Sequence, residues 1–162
     1  MKFNVTSEIH SLKSVLLKRP GKEVENLTPD TMHDLLFDDI PYLPIIQQEH
    51  DAFADVLREN GSEVLYLEKL AAEAIDQSNH KEDIVGRFIA ESGIRDKELT
   101  KALSEYLLSM KTSEMVDKIM AGVRNDDLDI QSSSLAWLAD HQKKTLFLMQ
   151  PMPNLYLSLI HI

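Results

Sequence analysis

The first cluster of hydrophobic positions lies in "SVLLKRPG". Residues 15–17 are all apolar, and Pro20 and Gly21, which follow shortly afterwards, form a pair that interrupts regular backbone structure. A short apolar run that ends at such a pair is typical of a buried strand. We therefore predict a strand over residues 15–17 and a turn at Pro20 and Gly21.

The segment after this turn has no sustained hydrophobic period. Pro29, Pro41 and Pro44 interrupt it, and each proline disfavours a helix that runs through it. We predict an ordered loop that contains one short helix over residues 31–36.

A helical period begins at residue 45. One stripe of this helix carries three apolar residues and a histidine: Ile46, His50, Phe53 and Leu57. Gly61 supplies the expected end of the helix. Residues 64–67, with the sequence "VLYL", then have the composition of a second buried strand. Strand, loop, helix and strand in this order predict an α/β arrangement.

The next part of the chain has a helical composition over residues 70–123. Apolar residues recur there at spacings of three and four, and Gly93 and Gly122 stand where helices are expected to end. Residues 124–144 are irregular and polar, with Leu135, Trp137 and Leu138 as expected packing anchors. Residues 145–149 predict a final strand, so the helices read as an insertion in an α/β domain.

Composition excludes several classes of function. The 162 residues include 27 acidic and 17 basic ones, and a net charge of -10 repels a nucleic acid backbone. The chain has no cysteine, which excludes disulfides, thiolate metal sites and a cysteine nucleophile within these residues. The start, "MKFNVTSEIHS", lacks a secretory pattern, so we expect a cytoplasmic protein. Residues 145–162 carry no charged side chain, but two prolines, Gln150 and Asn154 argue against a membrane anchor.

Candidate catalytic and metal-binding groups are sparse. His50 lies on an apolar helix stripe, where a histidine is more often a hydrogen-bonded core residue than a ligand, and no second histidine is spaced like a metal partner. Asp38 and Asp39 are adjacent and diverge in an extended segment, so we expect them to cap or pair within the loop. The carboxylates of "NDDLD" at 125–129 lack the glycine of a calcium loop. Composition and periodicity alone leave the function open.

Three separated segments resemble one family in the correct order. They read "SEIHSLKSVLLKRPG", "LTPDTMHDLLFDDIPYLPIIQQEHDAFADVLRENGSEVLYLEKLAAEAI" and "LMQPMPNLY". Together they resemble the amino-terminal part of bacterial arginine deiminases, which belong to the pentein superfamily. The resemblance implies the first module of a five-bladed α/β propeller with an inserted α-helical subdomain. The implied boundaries are 1–69 for the module, 70–140 for the insertion with its irregular end, and 141–156 for the returning strand.

The resemblance also implies a reaction. Arginine deiminases hydrolyse L-arginine to L-citrulline and ammonia without a metal or organic cofactor. A cysteine thiolate attacks the guanidinium carbon, a histidine acts as acid and base, and carboxylates hold the guanidinium. The expected ligand of the whole protein is therefore L-arginine. No nucleic acid or membrane partner is expected, and a homo-oligomeric assembly stays open.

Two residues of this chain match substrate-binding positions of the family. Leu36, in "LLFDD", falls at the loop position that contacts bound substrate, and Asn154, in "PN", falls at the substrate-binding asparagine, whose amide can both donate and accept. Without the resemblance, a packed loop leucine and a turn asparagine after Pro153 would be preferred. No catalytic residue and no metal ligand is assigned.

The resemblance stops after Tyr156. The family continues with a motif such as "FTRDP", and Ile160 stands here at the position of its guanidinium-binding aspartate. The ending "LSLIHI" equals the in-frame translation of a widely used sequencing-library transposon end, so residues 157–162 are interpreted as an adapter-derived tail. We thus expect an amino-terminal fragment of an arginine deiminase that is inactive by itself.

Two alternatives to this interpretation stay open. The first is a natural non-catalytic module that binds or pairs with other subunits. The second is a pentein enzyme that acts on a methylated arginine, which is less favoured because such enzymes generally lack the helical insertion seen at residues 70–123.

Overall fold

The computed structural model describes residues 11–128 and 146–157, together with the backbone of residues 160–161. The chain is mixed α/β and divides into two compact units. The first comprises Met1–Ala71 and Pro153–Ile162, and the second comprises Ala72–Met152. The boundaries predicted for the module, the insertion and the returning strand stay predictions.

The first unit is built around a small sheet. Its elements include β1 (Ser14–Leu17), α1 (Lys22–Glu25), α2 (Leu43–Glu59), β2 (Glu63–Tyr66) and β5 (Ile160–His161). The strand order is β2-β1-β5. β1 and β2 are parallel, with Val15 opposite Val64, and β5 runs antiparallel to β1. The strands predicted at 15–17 and 64–67 are thus confirmed, each shifted by one residue or less. The adapter origin of residues 157–162 stays a prediction.

α2 covers this sheet with one face. Pro44 occupies the first turn, where its missing N–H costs nothing, and Gly61 follows the helix with a φ of 83°. Val15, Leu17 and Ala54 form the buried core between the helix and the strands. The prediction that Phe53 lies on the packed stripe was wrong, because its side chain is 45% exposed. The packed face is centred between His50 and Ala54, which moves Phe53 to its edge.

The loop before α2 differs from the prediction. Residues 31–36 form overlapping turns instead of a short helix. The amide of Leu35 donates to the carbonyl of Thr31 as in a helix, but Leu36 has a φ of 64°, which ends any helical path. The four-residue helix α1 was not predicted. It begins directly after Gly21.

The second unit consists mainly of helices. α3 (Leu67–Ser78) contains the boundary between the units, and the later elements are α4 (Lys81–Glu91), α5 (Lys97–Ser109), α6 (Thr112–Ala121), β3 (Val123–Arg124), a 3₁₀ helix (Asn125–Asp127) and β4 (Phe147–Met149). Leu99, Leu103 and Leu107 place a buried stripe on α5. Gly93 and Gly122 follow α4 and α6, as predicted, and both have a positive φ.

The end of the second unit is a two-stranded ribbon. β3 and β4 pair antiparallel, with Val123 opposite Met149, so the strand predicted at 145–149 is confirmed over residues 147–149. The predicted anchors Leu135, Trp137 and Leu138 lie outside the described residues. None of the helices in the described ranges combines the length and apolar character that crossing a membrane requires.

Candidate functional site

Leu36 lies at the tip of the loop between α1 and α2. Its side chain is 87% exposed, and its backbone adopts the left-handed conformation that side chains rarely occupy. The turn is closed on either side of it. The amide of Leu36 donates to the carbonyl of His33 over 3.1 Å, and the amide of Phe37 donates to the carbonyl of Met32 over 2.9 Å. The loop therefore presents the leucine side chain outward on an ordered turn.

Phe37 anchors this loop in the core of the first unit. It is buried together with Val24 and Leu27, from α1 and the residues after it. The partly buried residues around these three come from the loop, the start of α2 and the end of the described chain: Met32, Leu35, Leu43, Ile46 and Tyr156. The exposed position of Leu36 thus depends on the burial of the next residue.

Asn154 lies in a 3₁₀ helix, Pro153–Leu157, that belongs to the first unit. Pro153 is buried and Asn154 is exposed. Tyr156, on the same short helix, is half-buried, and its ring centroid lies 6.4 Å from that of Phe37. Burial raises the pKa of the Tyr156 hydroxyl. The structure therefore brings the segments that carry Leu36 and Asn154 to one aromatic contact, while the binding of substrate by these two residues stays a prediction.

Asp38 and Asp39 follow Phe37 and are exposed. The carboxylate of Asp39 accepts a hydrogen bond from the amide of Ile40 over 2.7 Å. This bond is a local contact within the loop, as predicted for Asp39.

A buried ion pair follows β1, and sequence reasoning missed it. Lys18 Nζ lies 3.2 Å from Glu23 Oε1, and both side chains are more than nine-tenths buried. Lys18 also donates to the carbonyl of Arg19, and the amide of Gly21 donates to Glu23 Oε1 over 2.7 Å. These contacts hold the turn between β1 and α1. The only available signal was the placement of two opposite charges on either side of Pro20 and Gly21.

A second, exposed ion pair ties the same turn to α2. The guanidinium of Arg19 donates two hydrogen bonds of 2.8 Å to the carboxylate of Asp51. The Arg19 guanidinium holds the pKa of Asp51 below its usual value. Gln47 of α2 donates to the carbonyl of Pro20. Because α2 is fixed to this turn, the entry into the loop that carries Leu36 is also fixed.

His50 is buried, as predicted, but its hydrogen bonding differs from the expectation. Its Nε2 atom has no hydrogen-bond partner among the described residues, and its ring lies 6.1 Å from the ring of Tyr66. Burial lowers the pKa of His50. The nearby carboxylate of Asp51 opposes this shift, and the cations of Lys18, Arg19 and Arg58 add to it.

This environment predicts a pH dependence of stability. Because burial lowers the pKa of His50 in the folded state, the unfolded chain takes up a proton first as the pH falls. Stability is therefore complete above the ordinary value of 6.5 and decreases as the pH falls from there toward the folded-state pKa. We expect His50→Gln to flatten the decrease in the urea midpoint of the whole protein between about pH 7.5 and pH 5.

The matched control for this prediction is His80→Gln, because the side chain of His80 is 67% exposed. This variant should keep the pH dependence of the original protein. A decrease in the urea midpoint that is equally steep in His50→Gln and in the original protein would show that His50 does not contribute to it.

Asp127, one of the carboxylates of "NDDLD", has a structural role in the second unit. Lys118 donates to the carboxylate of Asp127 over 2.6 Å, and the amide of Arg124 donates to the same oxygen over 2.7 Å. Across residues 11–128 and 146–157, no group of three or more acidic or histidine side chains is arranged to hold a metal ion.

A family model matches most of this chain. The family model described as Arginine deiminase matches residues 33–158. The match includes both Leu36 and Asn154, and it covers more than half of the chain.

Relatives that carry the same name match over almost the full chain. The arginine deiminase of Latilactobacillus sakei is 57% identical over 156 residues, that of Lactococcus lactis subsp. lactis is 51% identical over 157 residues, and that of Limosilactobacillus reuteri is 52% identical over 156 residues. Each of these matches covers 96% of this chain and 38% of the relative. The chain thus spans well under half the length of the curated relatives that it matches.

Proposed function

Since the chain belongs to the arginine deiminase family, we propose that the whole protein hydrolyses L-arginine to L-citrulline and ammonia. The identity of 51–57% over 96% of the chain is the observation that carries this proposal. Because these relatives are matched over 38% of their length, the reaction is assigned to the whole protein and not to these 162 residues.

The proposed chemistry proceeds in two displacements. A cysteine thiolate forms a bond to the guanidinium carbon, the bond from that carbon to a terminal nitrogen breaks, and ammonia leaves after a histidine gives it a proton. Water then attacks the same carbon and gives a proton back to the histidine, the bond to sulfur breaks, and the thiolate is restored as citrulline is released. The nucleophile lies outside these residues, because the sequence contains no cysteine. By itself, therefore, this chain is not expected to turn over arginine.

The described residues would contribute to substrate binding. Asn154 can hydrogen bond to the amino or carboxylate group of arginine, since its amide both donates and accepts. Leu36 would cover the aliphatic part of the substrate and exclude water from it. Their segments meet at the Phe37–Tyr156 contact, which supports placing both residues in one site.

The architecture proposed for the whole protein is the five-bladed α/β propeller of the pentein superfamily. The first unit would form its first module, since it combines parallel strands with a covering helix. Most of the second unit would correspond to the inserted helical subdomain. The cytoplasmic location and a homo-oligomeric assembly stay predictions.

Replacement of Asn154 by alanine in the whole protein tests the assignment of this residue. We expect Asn154→Ala to lower kcat/KM for arginine by about 10- to 100-fold, because a buried polar group of the substrate loses its partner in the complex. Initial rates of citrulline formation over a range of arginine concentrations provide the measurement.

The control is Gln77→Ala, which removes an exposed amide from α3. This variant should keep the original kinetic constants. If Asn154→Ala behaves like Gln77→Ala while the original protein is active, Asn154 has no role in binding the substrate. The reaction assigned to the whole protein would then stand without this residue.

A further inference from the structure

We propose that Phe37 and Tyr156 form a positioning pair that fixes the loop carrying Leu36 against the short helix carrying Asn154. The inference rests on the proposed function and adds two residues to it. Neither ring is assigned a contact with substrate. Phe37 acts through Leu36, and Tyr156 acts through Asn154. The contact between the two rings sets the distance between the two segments.

The first step of this inference concerns how Leu36 is held. Its side chain is almost fully exposed and its backbone is in the left-handed region, so the side chain itself makes little contribution to its own placement. Phe37, the next residue, is only 8% exposed and belongs to a buried cluster. Because the two residues share a peptide bond, the burial of the Phe37 ring and the backbone hydrogen bonds of the turn together fix the direction of the Leu36 side chain.

The second step concerns the segment that carries Asn154. This segment is a single short helix, and a helix of this kind has little stability of its own. Pro153 is buried, and the half-buried Tyr156 side chain packs against the cluster that contains Phe37. The ring of Tyr156 is therefore a main attachment of Asn154 to the first unit.

The third step is the contact between the rings. Their centroids are 6.4 Å apart with an angle of 35° between the planes, which lies within the range of favourable aromatic pairs. The other members of the cluster carry no ring. Because the two rings are rigid and in contact, a displacement of one segment displaces the other.

The test uses Phe37→Leu, Tyr156→Leu and the double variant in the whole protein. Leucine keeps an apolar side chain and removes the ring. We expect each single variant to raise KM for arginine about tenfold while kcat changes by less than about threefold. The substitution displaces residues that bind arginine and leaves the reacting groups in place. The double variant should raise KM by clearly less than the product of the two single effects, because the contact between the two rings can be lost only once.

Tyr156→Phe is the conservative control. It keeps the ring and removes only the hydroxyl, so its KM should equal that of the original protein. Additive effects in the double variant, or an elevated KM in Tyr156→Phe, would overturn the pair. An unchanged KM in both leucine variants would also overturn it.

Amide hydrogen exchange tests the contact between the rings without relying on catalytic activity. In the whole protein, Tyr156→Leu should accelerate amide exchange in the distant loop at residues 28–42, whereas Tyr156→Phe should not. If the original protein forms no citrulline, the proposed function fails, and this exchange result still decides whether the rings hold the loop. If the leucine variants do not fold, Tyr156→Met is used for the same exchange measurement, because methionine is closer in length to tyrosine. Unchanged exchange rates of the loop amides in that variant would reject the pair.

Discussion

Lys18→Met is expected to lower the free energy of unfolding of the first unit by about 3–5 kcal/mol. The substitution removes the cation that faces the carboxylate of Glu23, at 3.2 Å, and both side chains are buried. After the change, the carboxylate keeps the hydrogen bond from the Gly21 amide but has lost its countercharge. An unpaired buried charge is costly because neither water nor another group replaces the lost interaction.

The measurement is amide exchange of β1 and β2 in the whole protein, which reports the free energy of opening of that region. Lys101→Met is the matched control, because Lys101 pairs with Glu105 on the surface of α5 with both side chains at least 70% exposed. It should change the free energy of opening of α5 by less than about 0.5 kcal/mol.

A double variant separates the lost charge from a general loss of packing. Lys18→Met combined with Glu23→Leu removes both charges and should recover part of the stability lost in Lys18→Met, since no buried charge is then unpaired although the Gly21 amide loses its acceptor. If Lys18→Met costs no more than Lys101→Met, the buried pair does not contribute as described.

Gly122→Ala is expected to destabilise the second unit by about 3–5 kcal/mol, through backbone strain and overpacking together. Gly122 has a φ of 84° and a ψ of 154°, a conformation that is almost restricted to glycine. An added Cβ atom would also lie 2.8 Å from the carbonyl oxygen of Met149 and 2.8 Å from the nitrogen of Pro151. Both are backbone atoms, so a side-chain rotation cannot relieve the clash.

Gly93→Ala separates backbone strain from the clash. Gly93 has a φ of 76°, and an added Cβ atom would meet nothing within 4 Å. It should cost only about 1–2 kcal/mol, the usual cost of a left-handed alanine. Exchange of the amides of β3 and β4 measures the effect at Gly122, and exchange at the end of α4 measures the control. Equal losses in the two variants would contradict the close approach at Gly122.

The sequence predicted those elements whose hydrophobic pattern is set locally. β1 and β2 are short apolar runs, and Gly61 and Gly122 end helices through their own backbone conformation. The four-residue helix α1 was missed because it contains a single turn, too short to show a period. Phe53 was misplaced because the buried face of α2 is set by the side of the helix that packs on the sheet. The spacing of apolar residues along the helix does not determine this side.

The candidate site was predicted only through the resemblance to a family. Nothing in the local sequence distinguishes Leu36 from an ordinary loop leucine, and its left-handed backbone arises from the turn that buries Phe37. The contact of Phe37 with Tyr156 joins residues far apart in the chain, so local patterns cannot reveal it. The same holds for the missing hydrogen bond of His50, which depends on packing against β2.

The most direct test of the account is a product assay on the whole protein. L-Arginine is added without any metal or organic cofactor, and citrulline and ammonia are quantified together over time. The account predicts that both products appear in equal amounts as arginine is consumed, at a rate that rises with arginine concentration and saturates. A folded whole protein that forms no citrulline, or that releases ammonia without citrulline, would contradict the assignment of arginine hydrolysis.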